Sequence, residues 1–177
     1  MRIWLGLAPV LICESAIAAP SRDQPVVEPR DVIALEAGTW DAVIVTPSRT
    51  PGGRSSTATG VQVNELRSGG RWMLNRMSVN GGAYEGTGIW GFDPKSGRYS
   101  GSWVDNGTGG IRMDQGSWDP ASRTMTWTSE VERSDGRKVQ MRATSTFAGN
   151  IRTYRSFLVT AGGEVPLTTV VFTRRAN

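Results

Sequence analysis

Any chemistry in this chain must be done without histidine, because its 177 residues contain none. That excludes the serine and cysteine triads, HExxH zinc sites and histidine-centred proton shuttles. A pair of carboxylates acting as acid and base remains open, and the acidic residues of the central segments are Glu85, Asp105 and Asp114. Nothing in their spacing pairs them, and Arg112 stands two positions from Asp114 as the partner a surface carboxylate commonly finds. Neither Lys95 nor Lys138 completes a Ser-x-x-Lys nucleophile motif.

Two further strings resemble ligand sites but read better as architecture. Gly86-Thr87-Gly88-Ile89-Trp90-Gly91 has GxGxxG spacing, yet a dinucleotide fingerprint needs a strand turning into a helix, and here Phe92-Asp93-Pro94 leads to a turn and another strand. Glycines within a strand more often mark a bend or a bulky cross-strand neighbour. Asp105-Asn106-Gly107-Thr108 offers oxygen ligands but lacks the alternating carboxylates of a calcium loop, and Asn-Gly is a hairpin turn. The sequence therefore calls for no cofactor and no metal.

The elements that must position any site are β-strands. From Trp40 onward, short apolar runs are separated by Pro47 to Gly60, Ser68 to Gly70, Asn80 to Gly82, Asp93 to Arg98, Asp105 to Gly110, Asp119 to Arg123, Arg133 to Arg137, Ala148 to Arg152 and Ala161 to Gly163, nine breaks that delimit ten strands. Lys138 to Phe147 alternates with Val139, Met141, Ala143, Ser145 and Phe147 on one face, as expected of antiparallel strands with one buried side. Such a meander most simply closes on itself, since closure removes exposed edges. The Asp93-Pro94 and Asp119-Pro120 dipeptides predict two similar hairpin turns. Ahead of the strands, Arg30 to Ala37 can form one or two helical turns.

The N-terminus predicts a destination. Met1-Arg2, the apolar run Ile3 to Ile12 and Ala16-Ile17-Ala18 make a secretory leader cleaved before Ala19; the run is too short to span a membrane. The expected organisation is a signal peptide at 1–18, an extended tether at 19–30 and one barrel domain at 31–177. Cleavage removes Cys13, the only cysteine. Residues 133–177 hold eight basic side chains against Asp135 and Glu164, so weak attraction to an anionic envelope surface is expected, with no role for nucleic acid.

Leu35-Glu36-Ala37-Gly38-Thr39-Trp40, Gly69-Gly70-Arg71-Trp72, Gly88-Ile89-Trp90-Gly91-Phe92-Asp93, Tyr99 with Trp103-Val104-Asp105, and Thr173-Arg174 are similar, in order and spacing, to the bacterial domain-of-unknown-function family 1579. The resemblance implies an all-β fold, a single antiparallel up-and-down lipocalin-like barrel with a short N-terminal helical segment. It further implies that Gly38, Trp40 and Arg174 close one end, the arginine packing across the indole. Trp90, where the family has tyrosine or glycine, is a departure. Histidine-ligated haem binding, found elsewhere in the wider superfamily, does not carry over.

The functional expectation is an exported barrel holding a small apolar or amphipathic molecule, with Trp103, Trp127, Met125 and Met141 on inward strand phases and Arg76, Glu85 and Tyr154 as polar anchors. The alternatives are a non-catalytic envelope-associated interaction module with a packed barrel and, third, an enzyme using carboxylates.

Overall fold

The computed structural model describes residues 27–132 and 136–176. The leader and most of the tether lie outside them. One short helix, α1 (Pro29–Ala34), precedes ten strands: β1 (Gly38–Thr46), β2 (Ser56–Arg67), β3 (Trp72–Val79), β4 (Tyr84–Asp93), β5 (Arg98–Asp105), β6 (Ile111–Asp119), β7 (Thr124–Glu132), β8 (Lys138–Ala148), β9 (Ile151–Thr160) and β10 (Gly163–Arg174). All pair antiparallel with their chain neighbours, and β1 also pairs with β10, Trp40 opposite Arg174, so the sheet closes into a barrel. The first break is shorter than its turn-like composition predicts, because Ser56 to Gly60 already belong to β2.

α1 begins with Pro at its first turn, where the missing N–H is no loss. It contributes Val32 and Ile33, which pack with Met73, Trp90, Tyr99 and Met125 to fill the barrel end on the helix side. Both Asp-Pro turns are built alike. Asp93 accepts from Lys95 N at 2.9 Å and Ser96 Oγ at 2.7 Å; Asp119 accepts from Ala121 N at 3.0 Å and Ser122 Oγ at 2.5 Å. Hydrogen bonding by these neighbours holds both carboxyls below the usual range.

The strand glycines of the central segment are explained by tryptophan. Gly88 lies opposite Trp103, Gly101 opposite Trp90, Gly116 opposite Trp127 and Gly91 opposite Trp72. A Cβ on Gly88 would sit 2.6 Å from the Trp103 ring, and one on Gly101 would sit 2.6 Å from Trp90 Cβ. Gly86, too, lies under the Trp103 ring. All three glycines of the GxGxxG string thus make room for an indole. Gly101 leaves no empty space beside it, because the Trp90 side chain takes it.

In β10 the register with β9 shifts between Pro166 and Thr168. The bulge places both Leu167 and Thr168 on the barrel lumen.

A Cβ on Gly116 would fall 2.6 Å from Trp127 Cζ3, whereas one on Gly110 meets open space. Gly116→Ala should therefore cost about 1 to 3 kcal/mol and Gly110→Ala less than about 0.5 kcal/mol in urea denaturation. Equal effects would refute the glycine–tryptophan account.

Candidate functional site

The barrel end next to α1 is a floor built around Trp40, which is wholly buried. Its indole N–H donates to the Glu36 carbonyl at 2.8 Å. Arg174 lies over the ring with its guanidinium carbon 4.1 Å from the centroid, and Arg152 approaches it at 5.3 Å while stacking on Phe172 at 3.9 Å. Such contacts combine stacking with attraction of the cation to the ring quadrupole.

The same side chains satisfy the end of the helical segment. Arg174 donates to the Leu35 carbonyl at 2.6 Å and to that of Ala37, and Asn64 Nδ2 donates to Glu36 O at 2.9 Å. Three consecutive carbonyls that the helix leaves unpaired are thereby captured by the barrel. Gly38 has a φ of 111°, and a Cβ there would stand 3.2 Å from Arg174 Nη1, so a side chain is disfavoured twice. Burial and the charge of Arg152 push the Arg174 pKa down, but a guanidinium remains protonated.

The floor also contains a buried charge pair. Arg152 Nη1 and Glu36 Oε1 are 2.8 Å apart, with side chains only 4% and 7% exposed. Gln62 accepts from Arg152. Asn75 donates to Glu36 Oε2 at 3.2 Å and to Asn64 Oδ1 at 2.7 Å. The buried Nε of Arg152 has no hydrogen-bond partner among the described residues. Sequence reasoning missed Glu36, Gln62, Asn64, Asn75 and Arg152. The available signal was the two asparagines on lumen phases of β2 and β3.

Above the floor a chamber of about 610 Å³ opens toward the other end of the barrel. Trp90, Trp103 and Trp127 form one wall, with Trp90 and Trp127 edge to face at 5.4 Å. Ser129, Ser145 and Ser156 border it on β7, β8 and β9, and Ile44, Val79 and Leu167 stand on its remaining sides. Arg112 and Asp114 project into it from β6 as a forked pair, with Arg112 Nε 2.9 Å from Oδ1 and Nη2 3.0 Å from Oδ2. This corrects the sequence reading: the pair lines the lumen rather than the surface. Burial opposes the charge of Arg112, but Asp114 outweighs it, and the net shift is upward.

Of the expected binding residues, Trp103, Trp127, Met141 and Tyr154 line the chamber. Met125 does not; it is buried in the core against α1. Arg76 and Glu85 are on the outer face. Arg76 alternates with the inward Asn75 and Met77 and pairs with Glu65, and Glu85 alternates with the inward Tyr84 and Gly86. Neither is an interior anchor. Tyr84 accepts from Trp103 Nε1 at 3.1 Å, and burial pushes its phenol up. Burial would likewise raise Asp105, but the donors of Thr108, Gly107 and Trp103 hold its carboxyl below the usual range. Asp105 caps its own turn, accepting from Thr108 N at 2.7 Å. Among the described residues, no group of three or more acidic, histidine or cysteine side chains gathers as for a metal ion.

The sequence model of the family described as "Protein of unknown function (DUF1579)" matches residues 26–174. The chain belongs to this family. No protein with a curated description matches it in sequence. Among solved structures it is similar to Rv2717c from M. tuberculosis, with a TM-score of 0.62 at 13% identity, covering 85% of this chain and 99% of that one. It is also similar to the S-type phycobiliprotein lyase CPES from Guillardia theta, with a TM-score of 0.55 at 10% identity, covering 82% and 91%. At these identities the likeness establishes the lipocalin-like barrel fold of this DUF1579 member.

Trp40→Ala should cost about 3 to 5 kcal/mol, and Arg174→Ala less. In a double-mutant cycle by urea denaturation the two should be non-additive, because the side chains touch. Additive costs would mean that the stacked pair does not tie the floor together.

Proposed function

We propose that this DUF1579 protein is an exported, non-catalytic barrel that binds one small apolar or amphipathic molecule in its lumen. The observation that carries the reading is the chamber itself. At about 610 Å³, it falls in the size range of small-molecule sites, which are mostly apolar with a few placed polar groups. Its wall has that composition, three indoles and aliphatic side chains interrupted by Arg112, Asp114, Tyr154, two threonines and four serines above the polar floor. That a similar barrel is a phycobiliprotein lyase in Guillardia theta supports the reading. Export rests on the N-terminal leader pattern, and no described helix is long and apolar enough to cross a membrane.

Carboxylate-pair catalysis finds less support. Asp114 is held by Arg112, Asp105 caps a turn, and Glu85 is on the outer face. Attraction to an anionic surface is also weakened, since much of the C-terminal basic charge is paired: Lys138 with Glu130, Arg142 with Glu164, Arg152 with Glu36 and Arg175 with Asp41.

One observation favours the interaction-module reading. Ile111 and Met113 on the outside of β6 are 72% and 63% exposed, and Val104 lies directly opposite Ile111. Exposed apolar clusters of this kind can mark contact surfaces.

The neutral fluorophore N-phenyl-1-naphthylamine separates the readings. If the lumen binds, its emission rises saturably at one molecule per chain, with energy transfer from tryptophan. Trp127→Ala then weakens binding about three- to tenfold, the loss of part of one aromatic contact, while unfolding stays cooperative. Absence of saturable binding, or binding abolished by Ile111→Ser/Met113→Ser but not by Trp127→Ala, would shift the function to the outer face.

A further inference from the structure

Resting on the reading of the lumen as a binding site, the polar groups of its wall narrow the chemistry of the occupant. Every ionised side chain projecting into the middle or floor of the chamber is matched by an opposite charge. Arg112 pairs with Asp114 and Arg152 with Glu36. Arg142 is matched outside by Glu164 and lies over Phe157, and Arg49 is an exposed residue of the turn at the mouth. A full charge carried inward would therefore meet no uncompensated partner and would lose its hydration, a large cost in a low-dielectric interior.

The hydrogen-bonding capacity that the guanidinium leaves open is of one kind, a donor. Arg112 uses Nε and Nη2 on Asp114, and its Nη1 makes no hydrogen bond among the described residues. Asp114 accepts through both oxygens from the same guanidinium, which engages one lone pair on each and matches its charge to that of Arg112. Tyr154 on β9 lines the same chamber as Arg112. A phenol can donate its proton to an acceptor held there. Burial raises the Tyr154 phenol above its ordinary value although the Arg112 charge pulls it down, so it remains protonated, and a donor, at neutral pH. The serines can donate or accept and do not discriminate.

We propose that the occupant is an uncharged aromatic molecule bearing a carbonyl oxygen, with the ring against Trp103 and Trp127 and the oxygen received by Arg112 Nη1 and the Tyr154 hydroxyl. A buried ion pair is not a general route to stability, since apolar replacements of similar volume are often as good. Its place in a chamber wall is explained if Asp114 fixes the direction of the guanidinium and cancels its charge, leaving a donor suited to a neutral acceptor.

Three molecules of nearly the same shape test this by isothermal titration calorimetry on the full chain: 2-acetylnaphthalene, 2-ethylnaphthalene and 2-naphthoate. The ketone should bind about tenfold more tightly than the hydrocarbon and at least as far ahead of the anion at pH 7. Tyr154→Phe should reduce the ketone-to-hydrocarbon ratio to about twofold while leaving the hydrocarbon Kd unchanged. Arg112→Leu/Asp114→Leu, which leaves no lone charge behind, should do the same. Equal affinity for ketone and hydrocarbon, or tightest binding of naphthoate, would overturn the proposed chemistry while leaving lumen binding intact. An undiminished ketone preference in both variants would also overturn it. If none of the three binds, the lumen-binding reading falls and this inference with it.

Discussion

Trp40 is the residue on which the rest of the barrel is assembled. Its N–H holds the Glu36 carbonyl beyond the helix, and two arginines from strands late in the chain converge on its ring. The contact joins the first strand to β9 and β10, and with the β1–β10 ladder it completes closure. An indole can do this because it offers a large apolar face and one donor together. A phenylalanine would leave a helix-end carbonyl with one donor fewer.

Closing the floor with charge and amide groups has a consequence for the interior above it. Arg152 and Glu36 are fixed by each other and by Gln62 and Asn75, so they form a finished polar layer. Apolar packing fills the barrel on the α1 side of this layer, around Met73, Trp90 and Met125. On the far side the Trp103 and Trp127 rings lie against Gly86, Gly88 and Gly116 rather than being driven into the centre, and the lumen stays open. One set of small residues thus explains both the tight tryptophan packing and the free volume.

The alternation of strands was legible where the lumen is apolar, as in β8, where the inward set Val139 to Phe147 is the set that composition selects. The ten-strand count followed because turns carry chemically distinct residues. Three strands read in the opposite sense. β2 turns Gln62 and Asn64 inward, β6 turns Arg112 and Asp114 inward while Ile111 and Met113 face out, and β9 turns Arg152, Tyr154 and Ser156 inward. The rule that apolar residues face the core fails there because these polar groups satisfy one another across strands distant in sequence, and local periodicity contains no record of a partner 90 residues away. The same limit made Arg76 and Glu85 look like anchors and concealed Arg152. Tyr154, Trp103 and Trp127 could be placed on the lining because aromatic residues on a strand tend to face its buried side, whereas Trp90 was not expected there.

The claim at the centre of this account is that the volume above the Trp40 floor is an open, ligand-accepting lumen. Its most direct measurement is a crystal structure of the protein soaked with 2-bromonaphthalene, recorded at the bromine absorption edge. The account predicts one anomalous peak within the barrel, beside Trp103 and Trp127 and above an undisturbed Arg152–Glu36 pair. A lumen filled by inward-collapsed side chains, with bromine only on the outer face of β6, would contradict it.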